Sequence, residues 1–119
     1  MTLQDRPTAA ELTEAVREFL ERDVMPAVDG RVAFHTRVAV NALRMIEREL
    51  TLAPELDAAD HERLRTLLGH DGTIRDLTVE LARRIRDGSL DQQRADVVAA
   101  VRETVQAKLR VANPGYLDQ

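Results

Sequence analysis

RVAFHTRVAVNALRMIERELTL, residues 31–52, is the stretch whose reading decides the fold. Placed at about 100° per residue, its side chains separate into two arcs. Phe34, Val38, Ala39, Ala42, Met45, Ile46 and Leu50 cover a broad apolar arc, and Arg37, Asn41, Arg44 and Arg48 hold the opposite one. An apolar arc wider than one neighbour requires predicts a central helix, with Val38 and Ile46 inside the protein. Pro54 should stop this helix, because Ala53 before it is biased out of helical angles.

Outward from this segment the same periodicity recurs. Upstream, Thr8-Ala9-Ala10-Glu11 has the spacing of a capping box, and Leu12, Val16, Phe19 and Leu20 give one apolar face running to about Asp23. Pro26 and Gly30 make the connection. Downstream, Asp57 is placed to cap a third helix that buries Leu64, Leu67 and Leu68 and closes at Gly69. Thr73 opens a fourth with Ile74, Leu77, Leu81 and Ile85 on one stripe, ended by Gly88, with Arg83, Arg84 and Arg86 complementing the helix dipole. Asp91 is placed to cap a fifth with Val98, Val101, Val105 and Leu109 in line, ended by Asn113-Pro114-Gly115. Sustained two-residue alternation is absent. The prediction is an all-α fold: one domain over residues 1–119, an up-and-down bundle of about five helices without a sheet, with Leu81 and Val101 also interior.

Composition bounds the function. A chain of 119 residues, 44% apolar and 32% charged, fits one ordinary soluble domain. Seventeen basic against twenty-one acidic residues, with two Phe, one Tyr and no Trp, disfavour both a phosphate-neutralising footprint and a base-stacking platform, so no nucleic-acid partner is expected. Cysteine is absent, which removes disulfides, thiolate metal ligands and a thiol nucleophile. No stretch approaches the ~20 apolar residues of a membrane span and the N-terminus has no signal-peptide pattern, so neither a membrane partner nor export is expected and the location is read as cytoplasmic. All basic residues but Lys108 are Arg, a usage that GC-rich codons produce and that points to a bacterial source.

Four short motifs carry a resemblance: Arg6-Pro7-Thr8 through Glu11-Leu12, Phe34-His35-x-Arg37-Val38-Ala39-x-Asn41-x-Leu43, Ile85-Arg86-x-Gly88, and Lys108-Leu109 with Asn113-Pro114-x-Tyr116. Together they resemble a small bacterial helical family of unknown function, over nearly the whole chain. Members of that family are often encoded beside, or fused to, aminoglycoside-phosphotransferase-like kinases and near acyl-CoA dehydrogenases. The resemblance implies an accessory role and a kinase-like or acyl-CoA dehydrogenase-like partner; it supplies no activity.

Candidate site residues lie on the central helix. His35 falls near the middle of the apolar arc, as a core histidine hydrogen-bonded to a neighbouring helix or as a base or ligand in an inter-helix pocket. Arg37, Asn41 and Arg44, with Arg48, form either a solvated stripe paired with Glu47 and other acids or a stripe that docks an anion or partner. Asn41, a poor helix former, suggests a specific hydrogen bond. Gly69-His70-Asp71-Gly72 invites comparison with the His-Asp motif of metal-dependent phosphohydrolases, but glycines on both sides place it in a turn, with Asp71 in an Asx role. Di-iron Glu-x-x-His pairs, a Ser/His/Asp triad and a phosphate loop are all missing, so no catalytic residue, metal or cofactor is assigned. The reading is a non-catalytic accessory or interaction module, self-associating as a homo-oligomer or docking on a partner enzyme. Its alternative is a small-molecule or acyl-binding bundle with a pocket near His35, and a phosphohydrolase comes third.

Overall fold

The computed structural model describes residues 5–118. Among them there is no strand, and the chain is all-α as expected. Four α-helices carry it: α1 Ala9–Phe19, α2 Gly30–Leu68, α3 Ile74–Arg86 and α4 Arg94–Ala112. A π-helical turn, Leu20–Val24, and a 3-10 turn, Met25–Ala27, prolong α1; 3-10 turns also occupy Asp91–Gln93 and Pro114–Asp118.

The local signals act as read. The Thr8 hydroxyl accepts from the Glu11 backbone N–H at 3.1 Å while the Glu11 carboxylate takes the Thr8 N–H at 3.2 Å, two free donors of a first turn satisfied at once. The Thr73 hydroxyl caps α3 through the Asp76 N–H at 3.0 Å. Gly69 and Gly88 follow α2 and α3 at φ 82° and 79°, a conformation only glycine adopts without strain.

The helix count differs at Pro54. α2 runs 39 residues straight through it, so the expected second and third helices are one, and Asp57 sits mid-helix rather than at a cap. A proline ring removes one N–H, here the bond to the Leu50 carbonyl. The residues around it, Leu50, Leu52, Ala53, Glu55 and Leu56, are mostly strong helix formers, and the bonds on either side carry the helix across the gap. Asp91 likewise lies in a 3-10 turn, and α4 itself starts at Arg94.

Contacts divide the described chain into two compact units, with the boundary at Pro54. The first, through Ala53 with Val111–Asn113, is an antiparallel hairpin. Arg17 pairs with Glu47 and Glu21 with Arg44, so advancing four residues from α1 into the turn that prolongs it retreats three on α2. The hairpin packs through Thr36 and Val40, which are buried, and half-buried Leu43, Glu47, Ala10, Thr13, Arg17 and Leu20.

The second unit, Pro54–Arg110 with Pro114 onward, holds the hydrophobic core. Leu64 and Leu68 of α2 meet Leu77 and Leu81 of α3, closed by Leu90 and Val97, with Leu67 and Ile74 against them. Leu77 is 1% exposed. The α4 phase is not the expected one: Val97 is buried and Ala100, Thr104 and Ala107 are half-buried, while Val98, Val101 and Val105 face out. Small side chains let the helix approach closely, and Thr104 fixes the rotation by donating to Asp60 at 2.8 Å.

Candidate interaction face

The hairpin is held by charge. Arg17 donates through Nε to Glu47 at 2.6 Å and through a terminal nitrogen to Glu21 at 3.0 Å, and Arg44 reaches the same Glu21 oxygen at 2.8 Å. The Arg17 and Glu47 side chains are only 18% and 24% exposed, so these bonds are stronger than those of a free surface pair. The Glu47 hydrogen bond, seconded by Glu21, raises the Arg17 pKa further above its ordinary value. Arg17 in turn holds Glu21 below the usual carboxylate range, seconded by Arg44. Arg48 serves the last turn of α4 instead, donating to the Val111 carbonyl at 2.7 Å.

The Arg stripe is therefore divided. Arg44 and Arg48 serve intramolecular bonds, whereas Arg37 and Asn41 are exposed and have no ion pair or side-chain hydrogen bond among the described residues. Arg17 and Glu21 were not singled out from the sequence, although their i, i+4 spacing was there to read.

Because the polar seam chooses the packed side, the arc expected to be most buried is left open. Phe34 is 56% exposed, Val38 50%, Met45 41%, and Ile46 and Leu50 43% each. Val38 and Ile46 are not interior, and neither is Val101 at 40%. His35 is exposed too, and its ring lies edge to face with that of Phe34 at 5.4 Å. It is not the hydrogen-bonded core histidine that one reading of the arc required. α1 behaves alike, with Leu12, Val16 and Phe19 at 45%, 51% and 55%.

On α2 the packed side is marked by Thr36, Val40, Leu43 and Glu47; at about 100° per residue Phe34, Val38 and Met45 lie on the opposite side, facing away from α1, with Ile46 and Leu50 nearer the seam. A groove of about 270 Å³ beside the seam is lined by Leu20 of the turn after α1 and by Val32, His35 and Ala39 of α2. The hairpin thus leaves an apolar stripe open on each helix while charge holds the seam between them.

The second unit offers two other polar clusters. His61 Nε2 donates to the Asp71 carboxylate at 3.0 Å and to the Gly72 carbonyl at 2.8 Å. The Gly72 N–H donates to Asp71 at 2.7 Å. His70 has its Nδ1 2.9 Å from the Asp71 carbonyl and its Nε2 2.8 Å from Glu80. Both ring nitrogens face acceptors, which suits the doubly protonated ring; the Glu80 hydrogen bond, followed by that to the Asp71 carbonyl, raises the His70 pKa. This geometry is a clasp between the turn and its flanking helices. No group of three or more His, Asp or Glu among the described residues is placed to hold a metal. Elsewhere a groove of about 650 Å³ between α2 and α4 is lined by Arg63 together with Glu62, Asp96 and Glu103, and Arg63 donates through a terminal nitrogen to Asp60 at 3.3 Å. Its Nε is buried without a hydrogen-bond partner, 3.6 Å from Glu103.

The fold and this face define an all-helical domain in which no described helix is long and apolar enough to cross a membrane. The chain belongs to the DUF6285 family, a domain of unknown function, which matches residues 26–116. The match takes in α2, α3 and α4 but not the Arg6-Pro7-Thr8 motif or α1, so it covers less of the chain than the resemblance implied. No curated protein and no solved structure is significantly similar to the chain.

Proposed function

We propose that this protein is a non-catalytic interaction module that works through the apolar face of its N-terminal hairpin. One observation carries the reading: eight large apolar side chains of the hairpin, three on α1 and five on α2, stand 41–56% exposed, and exposed apolar surface of this kind marks protein interfaces. The family resemblance adds an accessory role beside a phosphotransferase-like kinase or an acyl-CoA dehydrogenase-like enzyme in a bacterial cytoplasm.

Co-purification is the test. The tagged native protein and Val16→Glu/Ile46→Glu are each offered an untagged copy of the chain, the kinase and the dehydrogenase. Retention of one of the three by the native protein but not by the variant supports the reading; retention of none removes it. A second reading, a small-molecule or acyl-binding bundle, has the groove beside His35 in its favour, lined by Arg31 and Thr36 as well as apolar groups. Acyl-CoA and free fatty acids would then raise the melting temperature, and His35→Ala would abolish the rise.

A further inference from the structure

The pattern along α2 says what covers the face. Arg31, His35, Val38, Ala42, Met45 and Glu49 follow one another at steps of four, three, four, three and four residues. This is the alternation of a coiled-coil seam, closed by opposite charges at its two ends. Arg31 and Glu49 are 18 residues apart, five full turns, and share one phase about 27 Å apart along the axis. Both are exposed, and neither has an ion pair among the described residues. They cannot reach each other within one chain.

Such a seam is complementary to itself reversed. If a second α2 is laid antiparallel against the first, with a two-fold axis between Val38 and Ala42, Val38 meets Ala42 of the second copy and His35 meets its Met45. Arg31 then meets Glu49, and Glu49 meets Arg31, so both end charges are matched twice over. A parallel pairing would set Arg31 on Arg31 and Glu49 on Glu49.

We propose that two copies of this chain associate through the hairpin face, α2 against α2 antiparallel about a two-fold axis, with Arg31 of each on Glu49 of the other. The two hairpins then lie back to back, with the open stripe of each α2 covered by the other and each α1 on the outer side. The proposal rests on the interaction reading above and names its partner.

Sedimentation velocity and light scattering at tens of micromolar test it. The native chain should have twice the 13.4 kDa mass of one copy. Val38→Glu should give single copies with unchanged helical content. Arg31→Glu and Glu49→Arg alone should each weaken the dimer about tenfold or more by opposing like charges, and the double exchange Arg31→Glu/Glu49→Arg should restore it. Failure of the double exchange to restore a dimer that the single changes weaken, or native-strength dimers in the single variants, overturns the proposed pairing. A monomeric native chain overturns the proposal as well, and a hydrophobic dye then separates it from the broader reading. Dye bound by the native chain but not by Val38→Glu leaves the face free for another protein; no dye bound at all removes the interaction reading too.

Discussion

Leu77 and Ile46 look alike to a periodicity argument, each sitting mid-stripe on a strongly helical segment, yet truncating them should have very different consequences. Leu77 is 1% exposed, enclosed by Leu64, Leu68, Leu81, Leu90 and Val97. A Cβ added to Gly72 would lie 3.4 Å from its side chain. With rigid helix on three sides the space left by Leu77→Ala cannot collapse, so the cost should fall in the upper part of the range for buried leucines, about 3 to 5 kcal/mol. Ile46 is 43% exposed in the single chain. Removing about three carbons at ~0.8 kcal/mol each, roughly half of them already in water, costs about 1 kcal/mol and leaves no enclosed cavity. Urea unfolding followed by circular dichroism at submicromolar concentration measures both, with equal slopes as the check that the denatured state is unchanged. A loss under 1 kcal/mol at Leu77, or above 3 kcal/mol at Ile46 under those dilute conditions, would refute the assignment of buried and open faces.

Three further outcomes follow from the geometry. In a double-mutant cycle, Arg17→Met and Glu47→Gln should show coupling of about 1 to 2 kcal/mol, more than an exposed pair gives; additive losses would mean the seam does not hold the hairpin. The raised His70 pKa stabilises the fold at pH values below the ordinary histidine range, and the effect is lost as pH rises through the folded value. The lowered Glu80 pKa, set by its hydrogen bond to His70, stabilises above the ordinary carboxylate range and is lost as pH falls through the folded value. The clasp is therefore strongest between about pH 5 and 6.5, and the fall in melting temperature from pH 6 to pH 8 should be smaller in His70→Gln than in the native protein. Finally, Pro54→Ala restores the N–H that can bond Leu50 and should stabilise the chain by about 1 to 3 kcal/mol in thermal unfolding.

What was legible in the sequence is what neighbours in the chain decide. The capping box at Thr8, the Thr73 cap and the glycines after α2 and α3 need only residues within a turn of one another, and each was readable. Leu64, Leu68, Leu77 and Leu81 were also readable as core, because on those segments the widest apolar stripe is the packed one. The phases of α1, α2 before Pro54, and α4 were not. Packing there is chosen by partners 30 or more residues away, Arg17 with Glu47 and Thr104 with Asp60, which a count of apolar positions cannot register. The helix break expected at Pro54 failed for a related reason: a local preference of a few kcal/mol was set against the helix on both sides. Of the site candidates, the arc on α2 is legible as apolar but not as open, which is why His35 reads from sequence as a core histidine or as a group in an inter-helix pocket, while the structure leaves it exposed. The Arg stripe was recognised without the division that sends Arg44 and Arg48 to partners within the chain.

The absence of cysteine makes the open face directly measurable, since the thiol introduced by Ile46→Cys is the only one in the protein. Its labelling rate by a small disulfide reagent, followed over protein concentrations from nanomolar to tens of micromolar, reports whether the face is open in one copy and covered by another. The account predicts labelling near the rate of an unfolded control at nanomolar protein and progressive protection as concentration rises, with Val38→Glu abolishing the protection and Leu77→Cys protected throughout. Protection of the Ile46→Cys thiol that is already complete at nanomolar protein, or labelling that stays fast at every concentration, would contradict it.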